Sequence, residues 1–443
     1  MKPLLLSEED ALRHSRRGAL WGLLFASVVA GAWTGRAGDD ALAAHARFFE
    51  EQLRSQVMPY WYDTAVDWQR GGYVLADDGR DGRDEATEKQ IVTQARMVWG
   101  FALAHRRGWS TAARDYLKAA ENGYRFLLAK FRDPVQGGYF WSTDLEGRPL
   151  NDRKNLYGLS FVVYAFVEYF RAGGEQPALE HAMELYRVIQ DRMHDDRHGG
   201  WGEHYTRDWR LVTEQDDQVV VELAGRKSAN AHLHWMEALT ELYDATRDPA
   251  VRASLEEALE INRKWFYPPE PARSAFHREF DWARVTGGRS DGLSFGHNVE
   301  FAWLMIRAQR VLGQAPAWEH FLAHVNHALR HGADADRGGL AYTAEADGRI
   351  TNPDKVWWSQ AEWVAALTDS LRHKPAPAHR EALLRTLDFL RRHQIDPKDG
   401  IWRDTVAADG TVKRPHKAHN WKANYHDVRA LVKFIDAFGP GRD

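Results

Sequence analysis

The stretch "QGGYFWSTDLEGRPL", residues 136–150, decides how the chain is read. Two glycines precede an aromatic run and an Asp/Gly turn follows it, which is the composition of a short hairpin rather than a helix. The pattern returns as "RGGYVLADDGR" (70–80), "HGGWGEHYTRDW" (198–209), "RGGLAYTAEADGR" (337–349) and "DGIWRDTVAADGT" (399–411). Its second glycines stand at 72, 138, 200, 339 and 400, separated by 66, 62, 139 and 61 residues. The third gap is close to twice the others, so a degenerate copy is expected inside it. "FHREFDWARVTGG" (276–288), around Glu279, is its natural place. Six units result.

Between the loops the sequence is helical. "EKQIVTQARMVWGFALAHRRG", "LYGLSFVVYAFVEYFRAGG", "NAHLHWMEALTELYDATRD" and "NVEFAWLMIRAQRVLG" space apolar residues by three and four and end near Gly or Asp. Each precedes a second, more polar helix such as "STAARDYLKAAENGYRFLLAKF". A fixed period of this length means stacked helical hairpins. Six of them predict an all-α (α/α)6 barrel with short β-hairpin loops, its more apolar first helices lining a central cavity. An open solenoid would also satisfy the period. The length of 443 residues would otherwise suggest two or three domains. The repeat argues for one barrel domain over residues 41–443.

Composition narrows the function. Apolar residues make up 44% of the chain and charged residues 28%, with a net charge of −4. That balance carries no nucleic-acid footprint, and no P-loop, zinc finger or Rossmann glycine pattern is present. The chain has no cysteine, which excludes disulfides, thiolate nucleophiles and Cys-ligated metals. It has 19 Trp and 21 His spread along its length. Indoles suit the flat apolar faces of pyranose rings, although many simply fill a helical core. At the N-terminus, Arg16-Arg17 precede an apolar run from Gly18 to Trp33. The run is short for a membrane span and fits a secretory signal, with small residues at Gly35/Ala37 or Ala41/Ala43 as cleavage sites. Residues 1–40 are therefore expected to be a targeting segment, of twin-arginine or Sec type, for a periplasmic or secreted protein. No stable membrane insertion is expected after processing. An uncleaved anchor is the competing reading, and an early start codon would leave a cytoplasmic protein.

If the first helices are inner, the polar residues near their N-terminal ends should meet. They are Arg96; Lys154 and Tyr157; Asn230 and His234; His297 and Glu300; Trp358 and Glu362; and Trp421, Lys422 and His426. Every inner helix contributes. Taken singly each has a plain structural reading: His234 as a bonded core histidine, the His297–Glu300 pair as internal polar satisfaction. Three histidines could also bind zinc, but no His-x3-His or His-Glu-x2-His pair is expected to supply two ligands from one helix, and no metal is expected.

The blocks "QARMVWGF", "NAHLHWMEALTELY", "SFGHNVEFAWL", "WWSQAEW" and "WKANYH" resemble those of the N-acylglucosamine 2-epimerase superfamily. That group includes cellobiose 2-epimerases, mannose 2-epimerases and mannose isomerases. The resemblance implies the same (α/α)6 barrel. It makes His297 and His426 the acid/base pair and His234 a third histidine, with Asn230 one turn before it. Arg96 corresponds to the arginine at the substrate's anomeric end, and Tyr157 to a substrate-binding position. Glu300, Trp303, Trp358, Glu362 and Trp421 correspond to positions that shape the substrate site. Leu159 stands where Gln is common, and "KANYH" replaces a "KCPYH"-like form; both departures favour a monosaccharide over cellobiose.

The chemistry this implies needs no cofactor. Inverting C2 of an open-chain aldose removes a proton beside the C1 aldehyde and returns it, work suited to a base titrating near neutrality. Glu300, one turn from His297, can fix that imidazole, and Arg96 can stabilise the enediolate oxygen. Return of the proton to C2 gives the epimer and return to C1 gives the ketose. The expectation is a 2-epimerase for a free reducing sugar (mannose/glucose, N-acylglucosamine or cellobiose), acting as a monomer or homodimer on a small-molecule partner. An aldose–ketose isomerase is the alternative within this chemistry. A glycoside hydrolase or lyase on the same toroid, using Glu300 with Glu362 or Asp427, is the alternative from another class, and a non-catalytic sugar-binding protein is a third.

Overall fold

The computed structural model describes residues 35–76 and 86–440. Most of the expected targeting segment, and the turn of the first glycine loop, lie outside the described residues. Among the described residues thirteen α-helices follow in order: α1 (Gly35–Gln52), α2 (Met58–Ala65), α3 (Ile91–Arg106), α4 (Tyr116–Phe126), α5 (Leu156–Arg171), α6 (Gln176–Met193), α7 (Ala229–Thr246), α8 (Pro249–Ile261), α9 (Phe295–Leu312), α10 (Trp318–His331), α11 (Trp357–His373), α12 (Pro377–Phe389) and α13 (His426–Phe438). A wide turn at Leu53–Val57 joins α1 to α2 in one rod, next to Pro59, whose missing N–H breaks the regular ladder. No helix among the described residues is long and apolar enough to cross a membrane.

Two kinds of helix alternate. In α5 every residue from Leu156 to Tyr169 is buried, as expected of a helix enclosed on all sides. In α6 only Ala178, Ala182, Leu185, Tyr186, Ile189 and Met193 are buried, a single stripe at helical spacing. The largely buried helices α3, α5, α7, α9, α11 and α13 pack side by side as the inner ring, and the striped ones lie outside. The inner–outer order holds from α3 through α12. The sixth hairpin is built from opposite ends of the chain: inner α13 packs against outer α1. The ring is thereby sewn shut by its own termini. At the seam Gly100 of α3 lies under Asn424, where an added Cβ would come within 2.4 Å of the Asn424 carbonyl oxygen. Arg107, the residue just past α3, also donates to Asp436 of α13 at 2.7 Å.

The loops do more than connect. Each short strand that leads into an inner helix pairs, antiparallel, with a strand of the next loop. Glu88–Gln90 pairs with Ser142–Asp144, Lys154–Asn155 with His204–Tyr205, and Lys227–Ser228 with His277–Arg278. Leu293–Ser294 and Lys355–Val356 continue the series with Thr343–Ala344 and Thr405–Val406. These ladders form a belt around the end of the barrel where the inner helices start. The expected degenerate loop is there: Glu279 and Ala283 close a turn between His277–Arg278 and Arg284. Its Gly-Gly half is replaced by a proline-rich turn, bridged between Pro269 and Ala272.

A buried ion pair anchors the intact loops. Asp133 caps its own turn by accepting from the Val135 and Gln136 amides and receives the Lys154 ammonium at 3.0 Å, both side chains fully buried. Lys89–Asp67, Lys227–Asp195, Lys355–Asp334 and Lys417–Asp396 repeat the arrangement at 3.0, 2.7, 3.2 and 3.2 Å. In the degenerate unit Leu293 takes the lysine position. Lys154, expected in the cavity, is thus a loop anchor, and Lys422 is buried with its Nζ donating to the Lys417 carbonyl.

Removing one partner of such a pair strands the other in the core, at a cost of about 3–5 kcal/mol. Asp133 also accepts from Arg207 at 2.8 Å, whereas Lys154 has no second carboxylate at such range among the described residues. Asp133→Asn is therefore expected to lower the denaturant midpoint more than Lys154→Met does. Equal losses, or the reverse order, would refute the anchoring role.

Candidate active site

The belt end of the barrel opens on a cavity of about 640 Å³, within the range of pockets that enclose small ligands. Arg96, Tyr157, Asn230, His234, His297, Glu300, Trp358, Trp421 and His426 all line it. The inner helices deliver them because their first turns are set by the belt. Asn155, Ser228 and Ser294 cap α5, α7 and α9 by accepting from the amides of Gly158, Ala231 and His297.

All three histidines are held at Nδ1. That of His234 lies 2.9 Å from Glu237 Oε2, that of His426 2.7 Å from Glu362 Oε1, and that of His297 2.8 Å from Ser294 Oγ. In His234 and His426 the opposite nitrogen, Nε2, is what the ring offers for chemistry. Trp358 stands between two of them, its ring 4.6 Å from His297 and 5.9 Å from His426. Arg96 donates to Tyr157 Oη at 2.9 Å and to the Trp421 carbonyl at 3.2 Å, and lies 4.3 Å over the Phe161 ring.

Beneath the histidines the structure departs from the simple pairing of His297 with Glu300. Glu300 Oε1 accepts instead from Arg429 Nη2 at 2.8 Å. The same nitrogen donates to Glu362 Oε1 at 2.7 Å, and Nη1 donates to Glu237 and to Tyr425. Trp303 and Glu362 do not line the cavity: the indole N–H donates to Glu362 Oε2 at 2.9 Å behind its wall. Glu237, Tyr425, Ser294 and Arg429 were not singled out in the sequence. The signal for two of them was present, since His234-x2-Glu237 and His426-x2-Arg429 have the same helical spacing as His297-x2-Glu300.

Burial and this network set the charges. Burial, with Glu362 beside it, pushes the Glu300 carboxyl well above the usual range. Burial works the same way on Glu237, but the Arg429 charge and the His234 bond outweigh it and bring Glu237 down to about 2. Burial lowers His426 well below 6.5, reinforced by Arg96 and Arg429. His234 is lowered by burial against the pull of Glu237.

Ligand atoms of Glu300, Glu362 and His426 come within 4.8 Å of one another, a spacing compatible with a metal ion. The Arg429 guanidinium already donates to both carboxylates and supplies the positive charge there. The chain does carry two His-x3-His pairs, His320/His324 and His327/His331, on outer helix α10. Neither pair lines the cavity; His320 and His324 both direct Nε2 at the Tyr267 carbonyl, at 2.7 and 3.2 Å.

A profile of the N-acylglucosamine 2-epimerase family matches residues 71–430. The chain belongs to that family. It is 30% identical over 393 residues to the cellobiose 2-epimerase of Ruminococcus albus, covering 87% of this chain and 97% of that one. With the D-mannose isomerase of Marinomonas mediterranea it shares 24% over 420 residues, 89% and 98% of the two chains. The structure of cellobiose 2-epimerase from Spirochaeta thermophila superposes with a TM-score of 0.81 at 30% identity, covering 90% of this chain and 98% of that one. Two hairpins give the cavity a polar wall. Lys413 donates to Asp354 at 2.7 and 2.8 Å, and Arg414 lies 3.6 Å from Asp404.

Two outcomes are expected. A histidine base whose proton affinity is depressed stays neutral to lower pH, so the acid limb of kcat/KM should fall below pH 6.5; a limb at or above 6.5 would contradict the depressed state of His426 and His234. Exhaustive chelation should leave turnover unchanged. Loss of activity that zinc or manganese restores would place an ion among Glu300, Glu362 and His426.

Proposed function

We propose that the protein is a carbohydrate 2-epimerase acting on the reducing end of a free sugar, with His297 and His426 as the acid/base pair. The observation that carries this reading is the placement of His234, His297 and His426 around one cavity, each engaged at Nδ1; His419, at the rim, is held instead at Nε2 by Asp404. One imidazole takes the C2 proton of the open-chain aldose, and the electron pair moves into a C1–C2 enediolate. Arg96 is placed to stabilise the oxygen that gains charge. Glu300 lies at the cavity wall with its proton affinity raised by burial and by Glu362, which suits it to hydrogen-bond a sugar oxygen. Return of the proton to the opposite face of C2 gives the epimer. His234 and Asn230 complete the polar wall, and Trp358 and Trp421 offer aromatic faces to the ring.

The relatives named cellobiose 2-epimerase and D-mannose isomerase support this chemistry and differ in where the proton returns. A hydrolase would need an acid and a second carboxylate on either side of a scissile bond. Here Glu300 and Glu362 converge on one nitrogen of Arg429, and neither Glu362 nor Asp427 lines the cavity. That geometry supports proton transfer within one sugar. The departures at Leu159 and residues 423–424 favour mannose. The cavity reaches from the histidines to Asp354, Lys413 and Arg414 on the hairpins, which leaves room for a second ring and supports cellobiose. We place the protein in the periplasm or outside the cell, on the Arg16-Arg17 pair and apolar run ahead of the barrel.

Mannose and cellobiose are the first substrates to offer in D₂O. The expected NMR product carries deuterium at C2 of the epimer; fructose from mannose as the first and dominant product would establish the isomerase instead. His297→Ala and His426→Ala should each reduce turnover at least about 10²-fold with the fold intact by circular dichroism. Activity within a few-fold of wild type in either would show that residue to be structural.

A further inference from the structure

One strong cation of the site does not line the cavity. Arg429 of α13 is 7 % exposed, and its guanidinium is bonded on every side but Nε. Nη1 donates to Glu237 and Tyr425, and Nη2 to Glu300 and Glu362. The plane lies 4.8 Å from the Trp303 ring and 4.4 Å from that of Tyr425. The atom that decides the argument is Glu362 Oε1. It accepts from Arg429 Nη2 at 2.7 Å and also lies 2.7 Å from His426 Nδ1. A carboxylate serving the imidazole alone would favour its protonated form. Shared through one oxygen with a guanidinium, it still orients the ring while much of its charge is already answered. The same cation meets Glu237 Oε1, whose other oxygen holds His234. A single guanidinium therefore stands between the carboxylates that orient two of the three histidines.

We propose that Arg429 is a positioning residue that keeps His426 an unprotonated base at neutral pH by drawing the Glu362 charge away from it. This rests on His426 being one of the acid/base pair. Among the described residues, the charged and titratable groups that the inner helices bring around His426 are Arg96 from α3, Tyr157 from α5, His234 and Glu237 from α7, His297 and Glu300 from α9, Glu362 from α11, and Tyr425, Asp427 and Arg429 from its own segment; Asp354, Asp404, Lys413, Arg414 and His419 stand at the hairpin rim of the same cavity. Of the inner-helix groups named, Arg96 and Arg429 are the permanent cations, and Arg429 is the one that shares the carboxylate oxygen that holds the ring. Because Arg429 is absent from the cavity wall, its effect on substrate must pass through His426, His234 and Glu300.

The test is the acid limb of kcat/KM in three variants. Arg429→Met removes the charge at similar length, leaves Glu362 to His426 alone, and should move the limb up by about one pH unit or more, with KM within a few-fold of wild type. Arg429→Lys keeps the charge and should leave the limb near its original place even where kcat falls. Glu237→Gln acts from the other side. It leaves Arg429 less compensated and should move the limb to lower pH. A limb unmoved in both Arg429→Met and Glu237→Gln, or moved in one direction by both, would overturn the proposal and leave Arg429 a structural cross-link. If Arg429→Met does not fold, Glu237→Gln and Arg429→Lys decide it, by the downward shift and the unchanged limb. An ¹⁵N NMR titration of the His426 imidazole in the same proteins reads the same shifts without turnover. Failure of the epimerase reading and failure of this inference are thereby separable.

Discussion

Three carboxylates and one guanidinium under the cavity floor are the constraint on which the site depends. Glu237, Glu300 and Glu362 come from three different inner helices, and all bond to Arg429 on a fourth. Burying even one unpaired carboxylate would be prohibitive. The cation answers part of the charge, and burial, with Glu362 beside it, raises the proton affinity of Glu300. The cluster thus orients the carboxylates behind His234 and His426 and ties the facing helices together. Polar clusters of this kind contribute little net stability beside a well-packed apolar alternative. Their retention here is explained by what they hold in place.

The barrel makes such a cluster reachable. Six inner helices run parallel and start at one end, so residues in their first turns meet although they are far apart in the chain. The belt of short ladders fixes where each helix begins, and the caps Asn155, Ser228 and Ser294 fix its first turn. The buried lysine–aspartate pairs tie each glycine loop to the strand beneath the next inner helix. At Gly338 an added Cβ would come within 2.2 Å of the Arg385 carbonyl oxygen, on a backbone with φ of +85°, so this loop admits only glycine. Loop, belt and cap therefore act in sequence to deliver a side chain to the cavity.

The same architecture explains how closely related chemistries share one scaffold. Removal of the C2 proton requires only a held imidazole and a stabilised oxygen. Under the proposed assignment, epimer or ketose depends on which carbon faces the returning proton, a matter of how the sugar would sit against Trp358, Trp421 and the hairpin residues. The histidines sit on the inner helices, while Asp354, Lys413 and Arg414 sit on hairpins at the rim. The proposed acid/base geometry and the reach toward a substrate thus fall to different parts of the fold.

The sequence by itself determined the repeat, the alternation of enclosed and striped helices, and the gathering of one polar set at the inner-helix starts. These are local properties: a glycine turn, a 3.6-residue period and a capping residue act within a few positions. It also placed the degenerate loop, because a missing copy leaves a measurable gap. Only the tertiary structure decided which partners those residues take. Glu300 and Arg429 are separated by 129 positions, and Glu237 and Arg429 by 192; no local pattern links them. Lys154 looked like a cavity residue because it precedes Tyr157, yet its strand turns it toward Asp133. The pairing of α13 with α1 was likewise beyond a linear reading, since ring closure joins the two ends that sequence order holds furthest apart. Local chemistry fixed which elements form. The closed ring fixed which charges must answer one another, because only there do buried groups from different helices share one dry space.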